Sequence, residues 1–323
     1  MTRFLYLVFI FLCIPGIFVQ SEKLPYSNLG KFKSLAEDIV ISEKIESGAL
    51  TLISYNTWGL PISLSGHDQE RRFADVSENL LKEEPDILML QETFHTSIRE
   101  NIINKLSGFY HTFTDYRKNR EIIPFINIDC HGGLMTLSKY PIIEEKFFPF
   151  TLSKETSFIE KTGAKGFLIS KIKFGNENIY VLNTHLYAGN NVKAEMQRRL
   201  QMEFIQKTLH ELDLENETLI LAGDFNVHHP CVSPSKVYDY ITKELNYTDS
   251  KPVITEEDYT MDHVSNPFVS EKEPRTKLDY IFTSKAFSDN YAVVRQARTM
   301  THHKPYSDHF GWKVEVKRKG YKL

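Results

Sequence analysis

Cysteine is scarce in this chain: Cys13, Cys130 and Cys231 are the only three in 323 residues. A disulfide-dense scaffold is thereby excluded. A chain of this length buries a sizeable core without such staples. No Cys/His group has the spacing of a structural zinc site. No glycine-rich phosphate loop opens a helix, and no Gly-x-Ser-x-Gly elbow occurs. Charge of one sign is also missing, with 39 basic residues against 42 acidic ones and a net charge of −3. That balance gives no support for a nucleic-acid partner, because such proteins usually carry a basic signature. There is no internal repeat and no long low-complexity linker. After residue 20 no long apolar run remains, which excludes a polytopic membrane protein.

The first twenty residues stand apart. Arg3 is followed by an apolar run over residues 4–19, broken only by Pro15-Gly16, and no acid precedes Glu22. This is the layout of a secretory signal peptide. The run is short for a stable span. The expected organisation is a signal peptide at 1–20, an N-terminal segment at 21–49 and one folded domain at 50–323, secreted. Cys13 leaves with the signal, so Cys130 and Cys231 are the remaining candidates for a disulfide. Residues 22–48 are polar, with a weak amphipathic helix around Leu35, Ile39 and Val40.

From residue 50 onward, strand and helix patterns alternate. Strands are predicted over 50–55, 86–90, 133–137, 165–174, 179–183, 218–222, 278–283 and 312–316. A helix over 70–82 places Phe73, Val76, Leu80 and Leu81 on one face, and Pro85 closes it. The longest helix, 193–212, predicts one buried stripe from Met196, Leu200, Phe204, Ile205, Leu209 and Leu212. A further helix covers 237–245. Many strands with few helices imply a two-sheet core with helices outside.

Polar residues cluster where the strands end. Asn56 follows the first strand and Gln91-Glu92 the second. Asn183-Thr184-His185 and Gly223-Asp224-Phe225-Asn226 close two others, and Ser307-Asp308-His309 precedes the last. Function is placed where buried strands emerge. The inventory is chemically coherent. Carboxylates suit a hard divalent cation such as Mg²⁺. Histidines move protons near neutral pH. The set fits metal-assisted hydrolysis of a phosphate ester better than acyl transfer. Singly, each residue also has a bland reading: a solvated strand end, a hydrogen-bonded core histidine, or turn chemistry at Asp224 and Asn226. Their joint order carries the case.

That order resembles the endonuclease/exonuclease/phosphatase superfamily, the DNase I-like fold. The segments are Ser54-Tyr55-Asn56-Thr57-Trp58, Leu90-Gln91-Glu92, Asn183-Thr184-His185-Leu186, Gly223-Asp224-Phe225-Asn226, Leu278-Asp279-Tyr280-Ile281 and Ser307-Asp308-His309. Together they span nearly all of residues 50–317. Within the superfamily the chain looks most like neutral sphingomyelinases. Asn56-Thr57-Trp58-Gly59-Leu60-Pro61, Ser138-Lys139-Tyr140-Pro141-Ile142, Lys165-Gly166 and Asn266-Pro267 carry that closer likeness. One departure is Ala164, where some members place an Asp before the lysine.

The resemblance implies a four-layer α/β/β/α sandwich with two mixed β-sheets packed face to face. It implies Mg²⁺ as cofactor, with Mn²⁺ or Co²⁺ as substitutes, held by Glu92 with Asn56, and with Asp308 as a second ligand or support. His309 would be the general base and Asp279 its orienting carboxylate. Asp224 and Asn226 would position water and phosphate, and His185 would meet the phosphate or the leaving oxygen. Lys165, Trp58 and Tyr187 would face the substrate, since aromatic rings hold quaternary ammonium groups well.

The implied reaction is hydrolysis of sphingomyelin at a membrane surface to ceramide and phosphocholine, with no nucleic acid and no obligate protein partner. A secreted nuclease of the same superfamily and a noncatalytic lipid-binding protein remain the alternatives. The basic pairs a nuclease would need are scattered, and Arg71-Arg72 and Arg198-Arg199 fall on helices, where they read as solvated faces. The aromatic run at 147–150 reads as core or as a membrane contact. Between Asp262 and Lys277 only Phe268 is available for an exposed aromatic hairpin. Contact of His131, His228 or His229 with the site is left open.

Overall fold

Period-two alternation explains the two-faced strands of the protein. A computed structural model describes residues 43–60, 66, 68–114, 131–151 and 163–320. All of them belong to the compact unit Lys33–Leu323. The signal segment, the weak helix near Leu35, Cys130 and Pro61 lie outside the described residues. The elements in chain order are β1 (Leu50–Asn56), α1 (Gln69–Lys82), β2 (Ile87–Gln91), α2 (Thr96–Leu106), β3 (Met135–Ser138), β4 (Ile142–Pro149), β5 (Gly166–Phe174) and β6 (Glu177–His185). There follow α3 (Val192–Glu211), β7 (Leu219–Asp224), α4 (Lys236–Asp239), β8 (Thr248–Asp249), β9 (Asp279–Thr283), α5 (Lys285–Asn290), β10 (Tyr291–Thr299) and β11 (Gly311–Arg318).

The strands form two mixed sheets, ordered β10-β11-β1-β2-β3 and β4-β5-β6-β7-β9-β8. In β1, Leu50 and Leu52 point between the sheets while Ile53 and Tyr55 point away. In β7, Ile220 and Ala222 point between them while Leu219 and Leu221 point away. The inner faces meet in one core that includes Leu52, Met89, Val181, Ile220 and Ile281. Phe73, Val76 and Leu80 of α1, with Ile98 and Ile102 of α2, cover the outer face of the first sheet. Met202, Ile205 and Leu209 of α3 cover the outer face of the second. The result is the expected four-layer α/β/β/α sandwich. Truncating one of these buried leucines or isoleucines to alanine costs about 2–5 kcal/mol.

Strand direction then brings the polar ends together. β1 and β2 are parallel, with Asn56 opposite Gln91. β6 and β7 are parallel, with His185 opposite Asp224. β9 runs antiparallel to β7 and starts opposite its end, Asp279 against Asp224. β11 runs antiparallel to β1, with Trp312 against Ser54. All six motif segments therefore emerge at one edge of the sandwich.

Some local expectations fail for physical reasons. On α3, Met196 and Leu200 are 63% and 46% exposed, and Leu212 is 40% exposed. The buried face is instead Ala194, Arg198, Met202, Ile205, Thr208 and Leu209. Arg198 turns inward because its Nη1 donates to the carbonyls of Tyr187 at 2.9 Å and Gly189 at 2.7 Å. Strands β4 and β10 lie at sheet edges and carry exposed charged residues, which blurs the strand signal. Phe150 is buried, and Phe148 stacks on Phe167 at 5.1 Å, so the aromatic run packs against the core. Residues 262–277 hold no strand, and Phe268 is half-buried against Trp58 rather than on a hairpin.

Candidate active site

The strand ends leave the β conformation abruptly. Trp58, Glu92 and Asn226 have φ of 47°, 54° and 52°. A bulky residue in this left-handed region is an outlier that its surroundings must hold in place. The amide of Gly59 does so by donating to the Glu92 carbonyl at 2.9 Å. Gly223 solves a different problem. A Cβ there would lie 1.9 Å from the Thr184 carbonyl oxygen. Only glycine lets β6 and β7 close up, and that closure sets His185 beside Asp224.

One carboxylate oxygen is the hub of the cluster. Asp224 Oδ2 accepts from Asn56 Nδ2 at 3.0 Å. It lies 3.5 Å from His185 Nε2 and 3.8 Å from His309 Nε2. Asn56 Nδ2 also donates to Glu92 Oε1 at 3.1 Å, while its Oδ1 accepts from the Trp58 amide at 2.9 Å. His185 Nε2 is 3.9 Å from Glu92 Oε1. On the other flank, His309 Nδ1 and Asp279 Oδ2 are 2.8 Å apart and buried. The Asn226 amide donates to Asp224 Oδ1 at 2.9 Å. Asn226 Nδ2 and Lys165 Nζ both donate to the Leu186 carbonyl, at 3.1 and 2.9 Å.

Nine of the eleven expected side chains thus share or adjoin one cluster. Asp308 adjoins it next to His309, with its Oδ1 accepting from Ser307 Oγ at 3.2 Å. Tyr187 is half-exposed just beyond Leu186, and its amide donates to Gln201 Oε1 at 2.8 Å. Trp58 is partly exposed, but its ring already holds a cation: the Arg72 guanidinium carbon lies 4.7 Å from the ring centre.

The electrostatics follow from burial and neighbours. Burial, with the nearby Asp308 charge adding to it, pushes the Glu92 carboxyl up to about 7. Burial and the Lys165 ammonium push His185 down to about 3, which keeps it neutral. Burial pushes Asp224 up, but His309, His185 and the Asn56 amide outweigh it and hold the carboxyl below its ordinary range. His309 is raised well above 6.5: burial opposes this, and the Asp279 and Asp224 carboxylates overcome it.

The donor set fits a hard cation. Glu92 Oε2 is buried with no hydrogen-bond partner, an expensive state for a carboxylate oxygen unless a cation meets it. Asp224, Asp279 and His309 also offer ligand atoms within 4.8 Å of one another. There Asp279 Oδ2 and His309 Nδ1 pair with each other, while Asp279 Oδ1, like Glu92 Oε2, is buried without a hydrogen-bond partner, so both groups could hold a metal.

Supporting residues lie beneath and beside the site. Gln91 Nε2 donates to Asn183 Oδ1 at 2.8 Å, and Asn183 Nδ2 donates to the carbonyls of Leu90 and Met135, tying the sheets beneath the site. Thr260 Oγ1 accepts from the amides of Leu278 and Asp279. The polar strand-end pattern flagged Gln91 and Asn183, but nothing near Thr260 marks it. His229 is buried elsewhere, 3.7 Å from Asp249, and His228 bonds Asn190. Cys231 carries an exposed free thiol.

Comparison with known proteins bears on this geometry. The model of the Endonuclease/Exonuclease/phosphatase family matches residues 53–309. The chain is 27% identical over 256 residues to Sphingomyelinase C 2 of Leptospira interrogans, covering 73% of this chain and 40% of that protein. It therefore spans less than half the length of that relative. It is 24% identical over 305 residues to Phospholipase C of Staphylococcus aureus, covering 85% and 86% of the two chains. A crystal structure of a Staphylococcus aureus beta toxin mutant with bound magnesium ions superposes with a TM-score of 0.66 at 22% identity, over 82% of this chain and 98% of that one.

Proposed function

The chain belongs to the endonuclease/exonuclease/phosphatase family, and we propose that it is a secreted Mg²⁺-dependent phosphodiesterase that hydrolyses sphingomyelin to ceramide and phosphocholine. In this reading residues 1–20 are the signal peptide, 21–49 a leading segment and 50–323 the catalytic domain. The observation that carries it is the Asp279–His309 pair aimed at the Asp224 hub beside Glu92. Relatives named sphingomyelinase C favour the lipid over other phosphodiesters. The nearly neutral charge agrees with a zwitterionic headgroup rather than a polyanion.

The chemistry follows from the geometry. His309 donates Nδ1–H to Asp279; the same carboxylates that raise it favour the imidazolium, so the acceptor is Nε2 of the His309 fraction that has lost its proton, a fraction that grows with pH. Nε2 takes a proton from water as the water oxygen bonds to phosphorus and the bond to the ceramide oxygen breaks; the ceramide oxygen then takes a proton from solvent to leave as the alcohol, and His309 returns its proton to solvent. Asp279 stabilises the imidazolium that forms. Asp224 and Asn226 orient the water and the phosphate, and neutral His185 meets the phosphate or the leaving oxygen. Lys165 adds positive charge near the phosphate. Tyr187, with the part of Trp58 that Arg72 leaves open, faces the headgroup. Glu92 and Asn56 would hold Mg²⁺, with Asp308 as a second ligand or support. The ion, when bound, supplies Lewis-acid stabilisation of the charged phosphate and leaving alkoxide.

The test is direct. Purified protein with Mg²⁺ is incubated in parallel with sphingomyelin vesicles, phosphatidylcholine vesicles and DNA. Phosphocholine released from sphingomyelin is the expected result. DNA cleavage without lipid turnover would instead establish a nuclease, and vesicle binding without any turnover a noncatalytic lipid-binding protein.

A further inference from the structure

The loop that delivers Asp308 and His309 is held by side chains. Four consecutive carbonyls, from Lys304 to Ser307, each accept a side-chain hydrogen bond. Arg71 Nη1 and Nη2 donate to Lys304 at 3.3 Å and Pro305 at 3.0 Å. Arg72 Nη1 donates to Tyr306 at 2.7 Å. Asn266 Nδ2 donates to Ser307 at 2.9 Å. Two adjacent arginines of α1 thus grip three successive peptide units, 233 or 234 residues away in the chain.

The pair was expected on a solvated helix face, and Arg72 is fully buried. Its guanidinium lies 4.7 Å from the Trp58 ring centre, 5.2 Å from Phe73 and 5.5 Å from Phe268. A cation in such a cage is oriented by ring faces as well as by its hydrogen bonds. Asp68 Oδ2 holds Arg71 Nε at 2.5 Å, which aims its other nitrogens at the loop. Trp58 follows the Asn56 motif and Phe268 follows Asn266. Arg72 therefore contacts three segments that converge at the site edge. The loop begins with the exposed run His302-His303-Lys304 and then turns inward, with Pro305, Tyr306 and Ser307 buried and Tyr306 packed in the core of the first sheet's outer face.

We infer that Arg71 and Arg72 are positioning residues that clamp residues 304–307 and thereby fix His309 against Asp279. Neither arginine touches the reacting atoms. Their effect passes through the loop backbone, so their loss moves the base rather than weakening substrate capture. A misplacement of about 1 Å in such a group costs about 10²-fold in rate. The inference rests on the reading of His309 as the base. The placement of the imidazole is measurable without turnover.

The experiment compares Arg72→Ala, Arg72→Lys and Arg71→Ala with the wild type on sphingomyelin vesicles with Mg²⁺. Arg72→Ala is expected to lower kcat by about 10²-fold with KM unchanged, and millimolar ethylguanidinium to restore much of it. Arg72→Lys keeps the charge but not the planar fork, and is expected to stay slow. Wild-type kcat in the folded variants, or a loss that ethylguanidinium leaves untouched, overturns the inference. If Arg72→Ala does not fold, Arg71→Ala decides: a lower kcat at unchanged KM supports the clamp, and wild-type kcat refutes it. If the wild type turns over no substrate, the proposed function fails, and the proton resonance of His309 Nδ1–H then tests the clamp. A shift of that resonance in Arg71→Ala supports the inference, and an unmoved resonance overturns it.

Discussion

His309 Nδ1 sits 2.8 Å from Asp279 Oδ2, although one residue precedes β11 of the first sheet and the other opens β9 of the second. The pair therefore exists only when the sandwich is closed. This makes the proposed base a product of the whole fold and not of a local motif.

Asp279→Asn keeps the shape but loses the carboxylate that fixes the imidazole tautomer. The kcat for phosphocholine release is expected to fall by about 10²–10⁴-fold with the fold intact by circular dichroism. Retained turnover would leave Asp279 with a structural role alone.

Glu92→Gln should weaken Mg²⁺ binding by at least about tenfold, measured by calorimetry on the purified protein. The carboxyl is pushed up to about 7 by burial and the Asp308 charge, and it must lose its proton to ligate a metal. Wild-type Mg²⁺ affinity is thus expected to rise between pH 6 and about 8. A flat profile would place the ion elsewhere. Removing the metal with a chelator should abolish turnover and restore it on readdition.

Much of this site was legible in the sequence for a physical reason. Buried strands must be apolar, so Asn56, Glu92, His185 and Asp224 stand out where those strands end. The parallel pairs β1–β2 and β6–β7 then gather them at one edge. Arg72 was not legible. Helical periodicity sees a charge and assigns it to water, and only tertiary contacts with Trp58 and the Tyr306 carbonyl make burial acceptable. Arg198 misled the phase of α3 in the same way. Edge strands β4 and β10 were lost because exposed charges at an edge erase the alternation.

Gly223→Ala should be severely destabilising. The added Cβ meets the Thr184 carbonyl oxygen at 1.9 Å, and φ is 148°. Forcing β6 and β7 apart costs about 3 kcal/mol or more and separates His185 from Asp224. A clearly lowered melting temperature is expected, together with lost activity. Near-wild-type stability would mean that the strands do not approach this closely.

His229 gives a pH signature of stability. Burial lowers it to about 4 from an ordinary 6.5, aided by the Lys277 ammonium. Between those values the unfolded chain binds a proton that the folded chain refuses, so stability falls as pH falls from 6.5 towards 4. The contribution is on the order of 3 kcal/mol. Urea unfolding across that window should show a steeper decline for the wild type than for His229→Gln. Equal slopes would contradict the buried neutral imidazole.

The most direct measurement is kcat of His309→Ala for phosphocholine release from sphingomyelin vesicles with saturating Mg²⁺. The proposed mechanism predicts a loss of about 10²–10⁴-fold with the fold and Mg²⁺ binding retained. Turnover at the wild-type rate would contradict it.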